Sequence, residues 1–485
     1  ITLRARSVNR SHNITPSPWL YDTLDGSRIL SLLQGKFWGK LSFWEGKMLQ
    51  GILTQKIVES LTMPVPAFTR RDVFVPQIRA RKAYAVIGMR RSGKTTYLWQ
   101  VIADALASGA PRESLVYIDF EDDRLLPMDA SGLDALVEAY YRLYPQYRAS
   151  QRVLFCFDEI QAVSGWERFV RRLMDTELVD IYLSGSSARL LSREIATPMR
   201  GRVLEIRLFP FSFREFLRHL GTEPSQEWER LTPAERSQIE HWLLRYLSEG
   251  GFPEAIGADQ RSRRELLRTY VDTAILRDVI ERHQVSHPQA LRWLVRQLLG
   301  NPASPFSAHK FYNDLRTQGF SIGKERVYEY ITYLEDAFLI RTLALATFSE
   351  RKRMTNPRKV YPIDMGLIPF YARTAQPSVG PALETAIYLE LERRGAEVGY
   401  VRTPSGYEVD FLAVFPDGST ELIQVCADLG DDSVRQRELR ALLEAGQEFP
   451  HARKRVITLA LPQESVEGIE WTLASEWLLA TPPPA

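Results

Sequence analysis

Ala83 to Thr96 reads AYAVIGMRRSGKTT, an apolar run that stops at Gly88 and passes into Gly93, Lys94 and Thr95. The spacing is GxxxxGK[ST], the signature of a phosphate-binding loop. Its glycines let successive backbone N–H groups turn around phosphate oxygens, and the helix that follows points its positive end at them. Gly88, Met89, Arg90, Arg91, Ser92, Gly93, Lys94, Thr95 and Thr96 are therefore the candidate cradle for ATP. Lys94 is expected to reach the β and γ phosphates and Thr95 to hold Mg²⁺.

Apolar strands and helices alternate on the carboxyl side of the loop. SLVYIDF (114–120) precedes a helix near 131–144, and VLFCFDEI (153–160) one near 165–175; DIYLSG (180–185) leads to a short helix at 187–192, and VLEIRLF (203–209) to FSFREFLRHL. Continuous apolar strands separated by helices predict an α/β fold with a parallel sheet covered on both faces. VLFCFDEI ends in Asp158 and Glu159, which the carboxyl edge of such a sheet sets beside the phosphates. Asp158 is the expected second Mg²⁺ ligand and Glu159 the group that polarises the attacking water. The competing reading is an Asp-Glu pair that caps the next helix. Ser184 either positions the water, senses the γ-phosphate, or caps the helix at 187–192, work that Ser186 can do instead. Arg200 and Arg202 in MRGR are either surface charges or, as in ring-forming ATPases, arginines facing the neighbouring subunit's γ-phosphate.

MRRSGKTTYLW, FDEIQ, LSGSSARLL, MRGR, FPFSFREFL and GGFPEA stand in this order, and the chain so far resembles the bacterial and archaeal AAA-superfamily ATPases that carry a C-terminal domain of unknown function. NPRKVYPIDMGL, ALETAIYLELERRG, YEVDFL and IQV are similar to that family's C-terminal half. The likeness runs from about Met48 to Leu461. It implies a P-loop NTPase that binds and hydrolyses ATP with Mg²⁺, a winged helix, and a restriction-endonuclease-like C-terminal fold.

The expected organisation is an N-terminal extension (1–47), a helix and connector (48–82), the P-loop core (83–225), a helical subdomain (226–285), a winged helix (286–375) and a small α/β endonuclease-like unit (376–485) with a disordered TPPPA tail. The first residue is Ile and residues 1–47 match nothing that follows, so Met48 is a candidate natural start; the alternative is an ordinary extension with Trp19, Trp38 and Trp44 packed on the surface. Sixty-two Lys and Arg against 60 Asp and Glu leave +2, so any nucleic-acid surface must be a local patch. Cys156 and Cys426 are the only cysteines and lie in apolar runs, which predicts buried thiols and excludes a zinc motif. No apolar run has the roughly 18 residues of a membrane span, and the N-terminus lacks a signal-peptide core, so a cytoplasmic protein without a membrane partner is expected.

Two candidate activities lie in the C-terminal half. In the winged helix, SIGKERVYEYITYL is the expected recognition helix with Lys324 and Arg326 near its start. ERKRMTNPRK is the expected wing tip, with Arg351, Lys352, Arg353, Arg358 and Lys359. The partner is then double-stranded DNA or, since winged helices also dock proteins, a protein. The endonuclease-like unit offers Glu384 and Asp410 as metal acids, but Gln424 and Cys426 stand where the (D/E)xK strand needs an acid and a lysine. Cutting is thereby disfavoured. The leading reading is an ATPase, possible as a homo-oligomer, that couples nucleotide state to the winged helix. Its alternatives are an ATP-gated DNA-binding or scaffold switch of low turnover, and a metal-dependent nuclease.

Overall fold

A computed structural model describes residues 49–485 apart from 77–80, 126, 186–198, 200, 348, 373–378, 429–431, 463–465 and 481–485. The expectations for residues 1–47, Ser186, the helix at 187–192, Arg200 and the tail lie outside the described residues.

Helix α1 (49–62) precedes the first sheet. Strands β1 (Ala83–Ile87), β2 (Leu115–Asp119), β3 (Val153–Asp158), β4 (Val179–Ser184) and β5 (Val203–Arg207) alternate with helices α2 (Lys94–Ala107), α3 (Ala130–Leu143) and α4 (Trp166–Thr176). Every strand pairing is parallel and the order is β2-β3-β4-β1-β5. All six residues of β3 are buried, as a strand covered on both faces requires. Ala85, Ile87, Phe155, Phe157 and Ile181 join the core shared with α3 and α4, while Val86, Leu154, Cys156 and Ile206 face α2. The order inserts β4 between the loop strand β1 and the acid strand β3, which brings the carboxyl ends of all three to one edge.

The chain then enters helices Phe213–His219, Pro233–Glu249 and Gln260–Thr273, the first two started by reciprocal capping boxes, Ser212 with Glu215 and Thr232 with Glu235. Gln260–Thr273 runs on into two π-helical turns, Ala274–Glu281. Helices Pro288–Leu299, Ala308–Thr317 and Lys324–Asp336 follow, with an antiparallel sheet of β6 (Ser304–Phe306), β7 (Ile340–Leu343) and β8 (Arg358–Pro362) in the order β6-β8-β7. Strand β6 has three residues with a central proline and carries no alternation to read. Residues expected as an open wing turn instead form a short helix, Glu350–Thr355, capped by Ser349.

The last sheet holds β9 (Glu397–Arg402), β10 (Glu408–Val414), β11 (Thr420–Cys426), β12 (Arg453–Thr458) and β13 (Glu470–Leu473), antiparallel through β11 and parallel beyond it. Helix Val379–Arg393 covers one face and helix Asp432–Glu448 the other. Helix Ala474–Leu479 packs back against Phe213–His219, where the Arg214 guanidinium donates to the Leu479 carbonyl.

Candidate nucleotide site

Gly88 follows β1 where the Leu208 carbonyl passes, and a Cβ there would overlap that oxygen. Gly93 holds φ at +96°, in the left-handed region open to glycine, and starts the 14-residue helix α2. The loop therefore has a close approach at one end and a left-handed turn at the other, with a helix N-terminus behind it. Lys94 is buried, and its ammonium donates to the Gly88 and Met89 carbonyls at 3.2 Å each. Burial pushes the Lys94 pKa down, and the Glu159 and Asp158 charges pull against that shift. Ser92 Oγ is wholly buried with no hydrogen-bond partner, an orphaned polar atom inside the loop. Thr95 is exposed to the cleft.

Asp158, 2% exposed, closes β3 at the same edge. The Ser184 hydroxyl donates to Asp158 Oδ1, and the Tyr117 hydroxyl donates to Oδ2 at 2.8 Å. Glu159 adopts φ +51°, a left-handed conformation uncommon outside glycine, and its N–H donates to Ser184 Oγ at 3.2 Å. Ser184 thus ties both acids together. Asp119 and Glu121, at the end of β2, line the same cleft, and burial raises the pKa of each. The sequence reading passed them over. The available signal was an acidic residue closing the strand beside β3.

Three further residues fix the loop from a distance. Buried Arg71, in the connector before β1, pairs with Glu215 at 3.0 Å and donates to the Ser92 carbonyl at 2.8 Å and the Phe209 carbonyl at 2.6 Å. Arg90 forms a two-pronged pair with Asp278 of the π-helical turns, and Arg91 pairs with Glu254 at 3.1 Å. Arg71 and Asp278 carry no local motif, so the sequence offered nothing by which to find them; Glu254 stands in GGFPEA, a motif that names no partner for it.

The cleft between loop, acids and π-helical turns measures about 960 Å³. Its donor set fits a magnesium nucleotide: a buried ammonium, an unpartnered hydroxyl, an exposed threonine and a fixed carboxylate. Among the described residues, no group of three His, Cys, Asp or Glu converges as a ready-made metal cage. Mg²⁺ bound with a nucleotide needs none, since it takes one or two protein ligands and fills its octahedron with waters and phosphate oxygens. Arg202 stands at the opposite, amino-terminal edge of the sheet, where its carbonyl accepts from Ala83 N–H and its guanidinium pairs with Asp175.

An AAA-domain model matches residues 80–217, and a domain of unknown function (DUF8612) matches residues 240–378. An uncharacterised protein of Methanocaldococcus jannaschii, MJ1544, is 35% identical over 384 residues, 77% of this chain and 81% of that one. The chain belongs to this family of AAA-domain proteins. An uncharacterised protein of Haemophilus influenzae is 28% identical over 396 residues, 81% of this chain and 93% of that one. Among solved structures, the Walker-type ATPase PABY2304 of Pyrococcus abyssi covers 66% of the chain at 14% identity and a TM-score of 0.38, a likeness too loose to bear on function.

Beyond the AAA domain, the C-terminal carboxylates are already engaged. Lys359 is 1% exposed, and its ammonium lies 3.0 Å from Glu384, 2.8 Å from Glu408 and 3.0 Å from Asp410. Lys359 is therefore no wing-tip cation: β8 turns it inward against β10. Gln424 Nε2 donates to Asp410 Oδ2 at 2.9 Å. Burial and the Asp410 charge push Glu384 up to about 8, with Lys359 pulling against them. Arg351, Lys352, Arg353 and Arg358 are exposed, Arg326 is exposed but paired with Glu329, and Lys324 is half-buried over the Tyr328 ring. No helix among the described residues is long and apolar enough to cross a membrane.

Proposed function

We propose that this AAA-domain protein is an Mg²⁺-dependent ATPase that converts nucleotide state into the grip of a winged helix on duplex DNA. The observation that carries the ATPase reading is the junction of Asp158 and Glu159 through Ser184, at the edge where Lys94 and the phosphate loop also end.

In this reading the loop amides from Gly88 to Thr96 bind the phosphates and Lys94 exchanges its carbonyl partners for phosphate oxygens. Thr95 and Asp158 hold Mg²⁺, which when bound neutralises charge on the β and γ phosphates. Glu159 orients a water in line with the γ-phosphorus and takes its proton as the bond to the β–γ bridging oxygen breaks, releasing phosphate and ADP. Ser184 keeps both carboxylates in register. Arg200 and Arg202 serve a neighbouring subunit of a homo-oligomer, since Arg202 faces away from the chain's own loop.

Arg90 and Arg91 link the loop to the helices beyond it through Asp278 and Glu254, a route by which a change at the phosphates alters the angle of the downstream units. In this reading helices Pro288–Leu299, Ala308–Thr317 and Lys324–Asp336 with sheet β6-β8-β7 serve as the winged helix; three helices followed by paired strands support it. Lys324, Arg326, Arg351, Lys352, Arg353 and Arg358 are its cations for phosphate contacts.

The test compares Lys94→Ala with Glu159→Gln in an assay of phosphate release and of nucleotide-dependent duplex binding. Both variants are expected to lose hydrolysis, Glu159→Gln while still binding ATP. If Glu159→Gln keeps nucleotide-dependent function intact and Lys94→Ala abolishes it, the protein is an ATP-gated switch and not a motor.

A further inference from the structure

A second cleft, of about 580 Å³, lies between helices Gln260–Thr273 and Pro288–Leu299 and is bounded by the short helix Ile368–Tyr371. Four guanidiniums enter it: Arg264 and Arg268 from the first helix, Arg292 and Arg296 from the second. Each pair is spaced i, i+4, so each places two like charges side by side on one helix face, an arrangement that destabilises an isolated helix. The one carboxylate in the cleft is Asp272, 3.8 Å from Arg268 and 3.3 Å from Arg292. Neither Arg264 nor Arg296 has an ion-pair partner among the described residues. The repulsion is thus left for an external anion to relieve.

The rest of the lining narrows the class of anion. Trp293, 41% exposed, lies on the same helix beside Arg292 and Arg296 with its ring tilted against that of Phe320, 5.7 Å between centroids, and Phe370 and Tyr371 line the same cleft. Two pairs of cations, one from each helix, suit a chain of phosphates better than one phosphate, and a half-exposed indole beside them suits a base that can stack. Guanidinium groups bind phosphate oxygens in a two-pronged fork and also stack on aromatic faces, which lysines do not. Stacking faces inside the cleft call for unpaired bases, whose flat faces are free to meet them.

We infer that this cleft binds single-stranded nucleic acid, with the phosphates on Arg264, Arg268, Arg292 and Arg296 and a base on Trp293. It is separate from the wing cations offered above to duplex DNA. Because it spans the helix that runs into the Asp278 turns and the first helix of the winged layout, its width depends on the same inter-unit angle.

Binding of a fluorescein-labelled oligothymidylate of about 15 nucleotides to the full chain, followed by anisotropy over a salt series, tests the inference. A duplex of the same length is run beside it. Arg292→Ala with Arg296→Ala is expected to weaken single-strand binding at least tenfold and to lower the salt slope by about 0.7 for each guanidinium removed. Trp293→Ala is expected to weaken it about tenfold, with the salt slope unchanged and Trp293→Phe restoring most of the loss. These side chains are exposed, and an unchanged melting temperature confirms that the variants fold. The inference is overturned if the strand does not bind or if the double variant binds it as the unmodified chain does. It is also overturned if thymidine monophosphate or poly-glutamate displaces the strand at equal nucleotide or residue concentration, assigning the cleft to a free nucleotide or an acidic peptide. Loss of duplex binding alone bears on the winged-helix reading and leaves this one standing.

Discussion

Arg90, inside the phosphate loop, and Asp278, inside the π-helical turns, share two hydrogen bonds of 2.9 and 3.1 Å across 188 residues of chain. π-helical turns are uncommon and concentrate at functional positions. Here they present a buried carboxylate to the loop. Asp278→Ala strands a largely buried guanidinium, which costs about 1–3 kcal/mol. The expected outcome in thermal denaturation is a lower melting temperature. A fluorescent-nucleotide titration should show a smaller loss of affinity than Lys94→Ala produces.

Ser184→Ala removes the hydroxyl that joins Asp158 to the Glu159 backbone and leaves both acids in place. Removing such an orienting partner typically lowers activity or metal affinity by about 10- to 100-fold. Steady-state phosphate release should show a lower kcat and a higher half-saturating Mg²⁺ concentration, with KM for ATP little changed.

Lys359→Met removes the cation from three carboxylates in a buried setting. Breaking a buried pair from one side costs about 3–5 kcal/mol. Urea denaturation should register that loss, and adding Glu384→Gln should recover part of it. The unmodified protein is expected to leave plasmid DNA intact with Mg²⁺, because its acids are held by Lys359 and Gln424. Cutting that Asp410→Ala abolishes would overturn this reading.

Asp364, wholly enclosed, accepts from Gly251 N–H at 2.6 Å and Gly366 N–H at 2.9 Å, and burial pushes it from its usual 3.8 up to about 6. A carboxyl raised on folding favours the folded state while protonated. Its contribution is fully present below about 3.8 and is lost as pH rises through about 6. Two pH units correspond to about 3 kcal/mol. Denaturation of the unmodified chain and Asp364→Asn between pH 4 and pH 7 should show the difference narrowing by up to that amount, with the unmodified chain losing ground as pH rises.

Native mass measured with and without ATP tests the assignment of Arg202. Assembly on ATP, with turnover lost in Arg202→Ala, supports a role toward a neighbour. A monomer under both conditions reduces the Arg202–Asp175 pair to a surface contact, whose removal should change stability by less than about 1 kcal/mol.

The parallel sheet could be read from the sequence because its strands are short, mostly apolar runs bounded by helical periodicity. Asp158 and Glu159 were found for a related reason: a strand's last residues sit at the sheet edge whatever surrounds them. Lys359 shows the opposite case. It follows Arg358 in a basic stretch that reads as solvated, yet the two side chains leave opposite faces of β8, so one is exposed and the other buried. Asp364 is similar; its glycine partner at 251 belongs to a turn over a hundred residues earlier.

The sequence by itself determined the phosphate loop, its helix and the acids at the end of β3, because glycine torsions, spacing and strand period are local properties of the chain. Tertiary structure alone decided that Arg71 bolts the loop to Glu215, that Asp278 answers Arg90, that Lys359 fills the C-terminal carboxylate cluster, and that four arginines line one cleft. Those are pairings across long stretches of chain, and their strength comes from burial, which no residue has until the fold excludes water from it.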